Sequence, residues 1–443
     1  MNMFTNKDLR KLILPLIVEQ FFQIFVGMAD TFVVSYSSEA DVSGVALVTS
    51  FNTILIVLFT ALSAGGAVII SQYIGSKNKE KADASASQLL MISAVISVIL
   101  TILILLFSEQ ILRLLFGKIE PDVMSACKTY LMITTWSLPA LAVYDSGAAI
   151  CRSIGKTNVT MYVSVAVNVL NVIGNCVGVL VLHLGAAGVA YPSLLSRIVS
   201  AVLITAFCCR KQNAVSYHVK EIFTWNRELL RRIMKIAIPN SVENGIHQMV
   251  KVALSSMVAL FGTYQIAANG MAQNIWSLAS IVALSMSPVY TTVIGQCMGA
   301  NDIDAANFYF KKLNKITLIS SLLWNAFVFA ITPLIVSFTA VSAETKTLII
   351  WLVLTNNIFN GLFFTYAGPL GSGLRAAGDV RYTMVTSVTL TIVIRLFFSA
   401  LFGIWLHMGV IGVALGMSMD LGIRGFLFWR RLRSQKWTKF KVI

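Results

Sequence analysis

Five acidic residues lie inside long apolar stretches of this sequence. They are Glu19, Asp30, Asp145, Glu243 and Asp420. A charged side chain in lipid-like surroundings is unfavourable by roughly 3 kcal/mol, so an ionisable residue retained there indicates a functional site. Carboxylates in such places could bind a metal cation, take up a proton or attract a positively charged ligand.

Asp30, in the stretch GMADTFVVS, has a row of amides within reach. Asn168, Asn171 and Asn175 recur at i, i+3 and i+7, which places them on one face of a helix. At about 1.5 Å per residue, Asp30 lies roughly 28 Å from the basic end of its stretch, and Asn171 and Asn175 lie roughly 17 to 23 Å from theirs. We predict that these four residues form a site for a coupling cation. Carboxylate and amide oxygens suit Na⁺, with Asp30 as its charged ligand, whereas a desolvated carboxylate suits H⁺, and the sequence leaves both open.

A second group of polar residues is predicted to line a substrate cleft. Its members are carboxylates, amides and basic groups that recur at helical spacing within three apolar stretches. Two of them, Glu19 and Glu243, could instead cap a helix or pair within their own halves of the chain, and the sequence leaves that alternative open. The predicted cleft residues are Glu19, Gln23, Glu243, His247, Lys251, Asn269, Gln273 and Asn274.

Arg395 and Asp420 are predicted to form a structural ion pair. They lie in successive apolar stretches, at depths of roughly 18 and 15 Å by the same count. Opposite charges at similar depth would hold two neighbouring helices together.

The elements that must position these residues are long apolar helices. The chain has 443 residues, of which 57% are apolar and 12% are charged, whereas a soluble protein has about 25% charged residues. Apolar runs of roughly 20 residues are long enough to cross a bilayer as helices. We therefore predict an all-α integral membrane protein with twelve transmembrane helices. The predicted spans are 11–36, 43–74, 88–107, 129–151, 160–182, 186–209, 234–261, 265–297, 314–336, 346–371, 383–406 and 409–429.

The distribution of charge predicts the orientation of these helices and excludes one class of partner. Of the 34 Lys and Arg, 26 lie in the N-terminus, the even-numbered loops and the C-terminus. By the positive-inside rule, we predict a multi-pass protein of the cytoplasmic membrane with both termini in the cytoplasm. The net charge of +15 does not indicate nucleic-acid binding, because no basic stretch is interleaved with aromatic residues. Membrane lipids are the expected partners of the basic loops.

The sequence repeats itself at an offset of 224 residues. PLIVE at 15–19 matches PNSVE at 239–243, and LHLGAAGVA at 182–190 matches LHMGVIGVA at 406–414. Six helices per copy is an even number, so both copies enter the membrane from the same side. We predict two six-helix bundles, a parallel repeat related by a pseudo-two-fold axis along the membrane normal.

A repeat of this kind indicates transport. Secondary transporters bind substrates at the seam between two like bundles and move one bundle against the other. We predict an N-lobe at 1–212 with helices 1–6, a cytoplasmic linker loop at 213–233, and a C-lobe at 234–443 with helices 7–12 and a basic tail.

No catalytic motif accompanies the helices. The sequence contains no HExxH, no GxSxG and no P-loop, and its four histidines lie far apart. We therefore expect neither enzymatic activity nor ATP-driven pumping, and no cofactor, which leaves an ion gradient as the energy source. A membrane-embedded enzyme is the alternative from another functional class.

The order and spacing of several short motifs resemble those of the multidrug and toxic compound extrusion (MATE) family. These motifs span nearly the whole chain and are PLIVEQ, GMADT, SQYIGSKNKEKA, RSIGKTN, GQCMGANDIDAA, LRAAGDVRY and MDLGIRG. The resemblance implies twelve helices in two lobes and export of organic cations or other amphipathic compounds in exchange for Na⁺ or H⁺. It also implies that Asp30, the acid in GMADT, is the coupling acid of the N-lobe. Many members carry a further aspartate where this chain has Asn175, which argues against a proton mechanism shared by two carboxylates.

The expected function is that of a secondary active antiporter. It would export amphipathic, mainly cationic compounds by alternating access, as a monomer whose partners are these small molecules and membrane lipids. A flippase or exporter of a lipid-linked or anionic metabolite is the alternative within the same superfamily.

Overall fold

The structure is a computed structural model and consists almost entirely of helices. Long apolar helices follow one another through short turns, and none of the described residues forms a β-strand. The predicted all-α fold class is thereby confirmed. The structure describes residues 3–117, 119–339, 341–440 and 442–443, except for the side chains of Met28, Thr31 and Val219.

The first of two compact units is Lys7–Ala237, called here the N-terminal bundle. An additional short helix, Ser108–Phe116, precedes its fourth segment. Its six membrane segments are segment 1 (Asn6–Val34), segment 2 (Glu39–Gly75), segment 3 (Lys79–Leu106), segment 4 (Pro121–Thr135 and Leu138–Ser153), segment 5 (Thr157–Val181) and segment 6 (Ala186–Cys208).

The second compact unit is Ile238–Ile443 with the described residues before Lys7, called here the C-terminal bundle. Its first segment begins in the other unit. The six membrane segments are segment 7 (Arg227–Ala259), segment 8 (Thr263–Ala279 and Ile281–Gly299), segment 9 (Ile303–Ser337), segment 10 (Ala343–Ala376), segment 11 (Val380–Trp405) and segment 12 (Gly409–Arg433).

Three predicted spans are interrupted. Segment 4 is interrupted at Trp136 and Ser137, segment 8 at Ser280, and segment 10 at Gly368, directly before Pro369. The hydroxyl of Ser137 donates to Thr134 O and that of Ser280 to Trp276 O, and such bonds to the preceding turn bend helices. The spans predicted at 129–151 and 265–297 therefore each contain parts of two helices.

Ten helices in the described part of the chain have the length and hydropathy of a membrane-spanning helix. Segment 8 qualifies through its second helix alone. Segment 4 does not qualify because its interruption leaves helices of 15 and 16 residues. Segment 7 does not qualify because Glu243, His247 and Lys251 lower its hydropathy.

The two bundles repeat the same local geometry. Lys77 and Asn301 both adopt the left-handed conformation, with φ of 59° and 56°. Each directly precedes an N-cap, Asn78 or Asp302, whose side chain accepts a hydrogen bond from the backbone N–H three residues ahead. These caps begin segments 3 and 9 and satisfy a donor that the first turn of a helix leaves open. The sequence offset of 224 residues is thus also a structural repeat.

The chain between segments 6 and 7 packs against the start of segment 3. Asp83 Oδ1 accepts from the Ser216 N–H at 2.8 Å, and Asp83 Oδ2 lies 3.0 Å from His218 Nε2. Gln88 Oε1 accepts from the Asn226 N–H at 3.1 Å. These bonds attach the connecting chain to the N-terminal bundle.

Candidate functional site

A chain of hydrogen bonds joins Asp30 of segment 1 to the amides of segment 5. Asn175 Nδ2 donates to Asp30 Oδ1 at 2.6 Å and to Asn171 Oδ1 at 3.1 Å. Asn171 Nδ2 donates in turn to Ser193 Oγ of segment 6 at 3.2 Å. Both asparagines are buried and Asp30 is half-buried. The structure therefore brings three of the four predicted coupling residues together and adds Ser193 to them.

Asn168 lies apart from this cluster. Its Nδ2 donates to Ser164 Oγ at 3.3 Å, one turn back in its own helix. Asn168 is half-buried on the same face of segment 5, but no hydrogen bond between described residues joins it to Asp30.

Close helix contacts position the amides. Segment 5 takes π-helical geometry at Val177–Val181, a form that is frequent at functional sites. Gly178 in this turn packs against Gly188 of segment 6, and a Cβ on either glycine would collide with the backbone of the other. Gly174 faces the ring of Pro192 in the same way. Segments 5 and 6 therefore approach closely beside Asn175, which orients its amide.

The cluster presents oxygen atoms that suit a small cation or a proton. Asn175 Oδ1 is buried and accepts no hydrogen bond from any described residue. Asp30 forms no ion pair with a described Lys, Arg or His, and its hydrogen-bond donor is the neutral Asn175 amide. An unpartnered buried acceptor beside an uncompensated carboxylate is an exception that needs a physical explanation. In the described parts of the chain, no three or more His, Cys, Asp or Glu side chains could hold a metal ion together, so a cation here would rely on amide and hydroxyl oxygens besides Asp30.

Glu19, a predicted cleft residue, is held inside the N-terminal bundle. Its Oε1 accepts from Arg152 Nη2 and its Oε2 from Thr160 Oγ1, both at 2.8 Å, and its side chain is 3% exposed. Gln23, one helical turn further on, is exposed. The two residues predicted to continue one cleft face are therefore separated, because only Gln23 reaches the surface of its bundle.

Glu243 has the equivalent arrangement in the C-terminal bundle. Arg375 Nη1 donates to Glu243 Oε2 at 3.0 Å, and the glutamate side chain is 10% exposed. The pairs Glu19–Arg152 and Glu243–Arg375 occupy matching positions of the repeat. This geometry favours the alternative in which each glutamate pairs within its own half of the chain.

Asp420 lies between two arginines. Arg395 Nη2 is 2.6 Å from Asp420 Oδ2, which is the ion pair expected between segments 11 and 12. Arg424, one turn further along segment 12, adds a second contact at 2.7 Å to Asp420 Oδ1. The Asp420 side chain is completely buried.

His247 extends this charged cluster to segment 7. Arg424 Nη1 lies 2.8 Å from His247 Nε2, and Thr391 Oγ1 lies 3.2 Å from the same nitrogen. Since an arginine only donates, Nε2 accepts, and the imidazole is neutral with its proton on Nδ1. That Nδ1–H donates to Glu243 O at 2.9 Å. His247 is therefore part of a hydrogen-bonded cluster with Arg424 and Thr391. Its side chain is half-buried.

The remaining predicted cleft residues are more accessible. Lys251 and Asn274 are exposed, and Asn269 and Gln273 are half-buried. Polar side chains with this exposure on membrane helices are typical of a water-filled cavity, because lipid cannot satisfy them.

Four residues of these clusters were not among the site residues predicted from the sequence. Arg152 and Arg375 open the repeated motifs RSIGKTN and RAAGDVRY, so the repeat itself contained a signal for their shared role. Arg424 follows Asp420 by four residues, the spacing at which helical side chains meet. Ser193 had no signal, because its position depends on the packing of segment 6 against segment 5.

Comparison with protein families gives two matches along this chain. The family model described as MatE matches residues 15–177 and 239–401. The two matches begin and end 224 residues apart, which is the offset of the internal repeat. Together they cover well over half of the chain.

Individual proteins match nearly the whole length. The uncharacterized transporter YisQ of Bacillus subtilis is 26% identical over 436 residues, covering 96% of this chain and 93% of that protein. The probable multidrug resistance protein NorM of Thermotoga maritima is 23% identical and covers 99% of this chain and 94% of its own. A solved outward-facing multidrug resistance MATE transporter superposes with a TM-score of 0.91 at 22% identity, covering 98% of this chain and 97% of that chain. The likeness to this structure shows the same fold, twelve helices in two bundles.

Proposed function

The chain belongs to the MatE family of membrane transporters, and we propose that it exports amphipathic, mainly cationic organic compounds in exchange for Na⁺ or H⁺. The similarity to the probable multidrug resistance protein NorM of Thermotoga maritima supports export of drugs. Membership of a transporter family argues against the membrane-enzyme alternative. We further propose that the protein works as a monomer without a cofactor, in the cytoplasmic membrane with both termini in the cytoplasm.

One observation carries the proposed coupling step. Glu19, Glu243 and Asp420 are each bonded to arginine. Asp145 forms no ion pair between described residues, but Arg152 and Arg197 lie near enough to act on its charge. Asp30 has only the neutral amide of Asn175 as its hydrogen-bond donor among the described residues. A permanent cationic partner would exclude a mobile ion. An uncompensated carboxylate in a membrane helix instead gains stability whenever a cation or proton binds it.

The coupling cycle follows from this difference. Asp30 binds Na⁺ or H⁺ from outside, with Asn171, Asn175 and Ser193 supplying neutral oxygens around it. Binding of the ion neutralises Asp30, because H⁺ removes its negative charge and Na⁺ compensates it. This changes the relative stability of the outward- and inward-facing states, as alternating access requires. Release of the ion inside restores the charge.

The test is efflux from proteoliposomes energised by a Na⁺ or a H⁺ gradient. We expect Asp30→Asn to abolish gradient-driven efflux, because the neutral amide cannot exchange a cation. Asp122→Asn, which neutralises an exposed acid of the same bundle, is the matched control and should retain it. Undiminished gradient-driven efflux by Asp30→Asn would remove Asp30 from the mechanism.

A further inference from the structure

The membrane segments of the C-terminal bundle carry more positive than negative charge. Asp420 has two arginine partners, Arg395 and Arg424, so this cluster has one positive charge in excess. Lys251 adds a second, because it forms no ion pair with a carboxylate in the described part of the chain. The buried charges of the Arg395–Asp420–Arg424 cluster require compensation by a partner of opposite sign, whereas the exposed Lys251 can attract an anion from water.

His247 does not alter this balance. Its Nε2 accepts from Arg424 Nη1, and its Nδ1–H donates to Glu243 O. A proton on Nε2 would direct two donors at each other and place a second cation beside Arg424. The imidazole therefore remains neutral in this arrangement, and the group formed by Lys251, Arg395, Arg424 and Asp420 keeps an excess of two positive charges.

Lys251 lies on a polar face of segment 7. Asn244, Gln248, Lys251 and Ser255 recur at i, i+4, i+7 and i+11, the spacing of one helical face. The first two are half-buried and the last two exposed. Lys251 is about 12 Å before the end of segment 7 at Ala259 by the helical rise, and a lysine at such depth faces water rather than lipid. The ammonium group is thus available to a ligand in solution.

Arg424 contacts segment 7 one helical turn before Lys251. Lys251 follows His247 by one turn, about 6 Å along the axis, and the His247 ring contacts Arg424 directly. Arg424 Nε is buried and has no hydrogen-bond partner among the described residues, and its side chain is 7% exposed. An unsatisfied buried donor is unfavourable by about 1–3 kcal/mol. A guanidinium N–H of this kind is the donor that carboxylate oxygens accept best.

We propose that the C-terminal bundle binds the carboxylate group of exported zwitterionic amphiphiles, with Lys251 as the first contact and Arg424 and Arg395 behind it. The inference rests on the proposed export function and narrows its substrate class to compounds that carry an anionic as well as a cationic group. The bound carboxylate compensates the excess positive charge that the bundle itself leaves unbalanced. Free chloride is the other small anion that could take this place, and the experiment separates the two.

The experiment uses two fluorescent probes that differ in one charge. Tetramethylrhodamine is a zwitterion with a free carboxylate, and its methyl ester is a cation of nearly the same shape. Binding of each probe to the purified full-length protein in detergent is measured by fluorescence anisotropy at neutral pH, in a low-salt HEPES buffer without chloride or any carboxylate anion. We expect the wild type to bind the zwitterion more tightly than the ester.

The variants assign this preference to Lys251. Lys251→Met should raise the Kd of the zwitterion about tenfold, corresponding to about 1.4 kcal/mol, and leave the Kd of the ester unchanged. Lys251→Glu should reverse the preference, and Lys251→Arg should keep it. Lys235→Met removes an exposed lysine near the start of the same helix and should change neither Kd.

Three results would overturn the inference. Equal affinity of the wild type for both probes, or no binding of the zwitterion, excludes a carboxylate site. Equal weakening of both probes by Lys251→Met shows a structural role only. Chloride that competes with both probes alike assigns the site to the free ion, whereas competition confined to the zwitterion supports a shared anion site.

The outcome is independent of the coupling step. Binding is measured without an ion gradient. If the wild type shows no preference for the zwitterion but its efflux depends on Asp30, only the inference of a carboxylate site is contradicted. A clear preference without any gradient-driven efflux contradicts the proposed function instead.

Discussion

Asp420 compensates two arginines at once, so we expect its replacement to destabilise the C-terminal bundle strongly. Its side chain is completely buried, and those of Arg395 and Arg424 are 12% and 7% exposed. Removing one partner of a buried ion pair destabilises a protein by about 3–5 kcal/mol, because the other charge is left uncompensated. Asp420→Asn leaves two such charges, so we expect a loss at the upper end of that range. Arg395→Met leaves a balanced Asp420–Arg424 pair, and we expect a loss below about 2 kcal/mol on the same grounds.

Thermal unfolding of the purified protein in detergent, followed by tryptophan fluorescence, measures this difference. The expected order of decreasing melting temperature is wild type, Arg395→Met, the double variant Asp420→Asn/Arg395→Met, and Asp420→Asn. The double variant should exceed Asp420→Asn because it leaves one uncompensated arginine instead of two. If Arg395→Met melts as low as Asp420→Asn, the charge balance deduced for this cluster is wrong.

Three further changes test the N-terminal bundle. Arg152→Met should lower the free energy of unfolding by about 3–5 kcal/mol, because Glu19 stays buried without its partner. Adding Glu19→Gln should restore most of the lost stability. A double variant that is no more stable than Arg152→Met in thermal unfolding would contradict this. Gly188→Val should lower the free energy of unfolding by about 1–3 kcal/mol, because the larger side chain forces segments 5 and 6 apart. It should also reduce gradient-driven efflux more than it reduces drug binding. Unchanged gradient-driven efflux would show that this close contact does not position the amides. Asn175→Asp places a second carboxylate against Asp30, and two adjacent carboxylates cannot both be charged. Efflux driven by a H⁺ gradient alone should therefore rise relative to efflux driven by a Na⁺ gradient alone. An unchanged ion preference in proteoliposomes would argue against a site shared by the two residues.

Contacts that depend on depth and helical face could be predicted from the sequence. The hydrogen bond between Asp30 and Asn175 joins residues that the helical rise places in the same half of the membrane, on faces marked by polar spacing. The Arg395–Asp420 contact follows from the same count. The family could also be predicted, because its motifs recur in order over both copies of the repeat.

Contacts that depend on the rotation of one helix against another could not be predicted in this way. Glu19 and Gln23 share a helix face within one turn, yet Glu19 is buried against Arg152 while Gln23 is exposed. A spacing of four residues turns a helix by about 40°, which is enough to move a side chain from an interface to an open surface. The interruptions at Ser137 and Ser280 could not be predicted for a related reason, because apolar periodicity does not show which backbone carbonyl a serine hydroxyl donates to.

We propose that a mobile cation binds Asp30 in every transport cycle, and measurement of ion binding to the purified protein is the decisive test. Binding of radioactive Na⁺ and release or uptake of H⁺, detected with a pH indicator, would be compared between wild type and Asp30→Asn as drug is added. We predict that the wild type exchanges a cation in at least one of the two assays and that Asp30→Asn exchanges none in either. Equal exchange by both proteins would show that the coupling ion binds elsewhere.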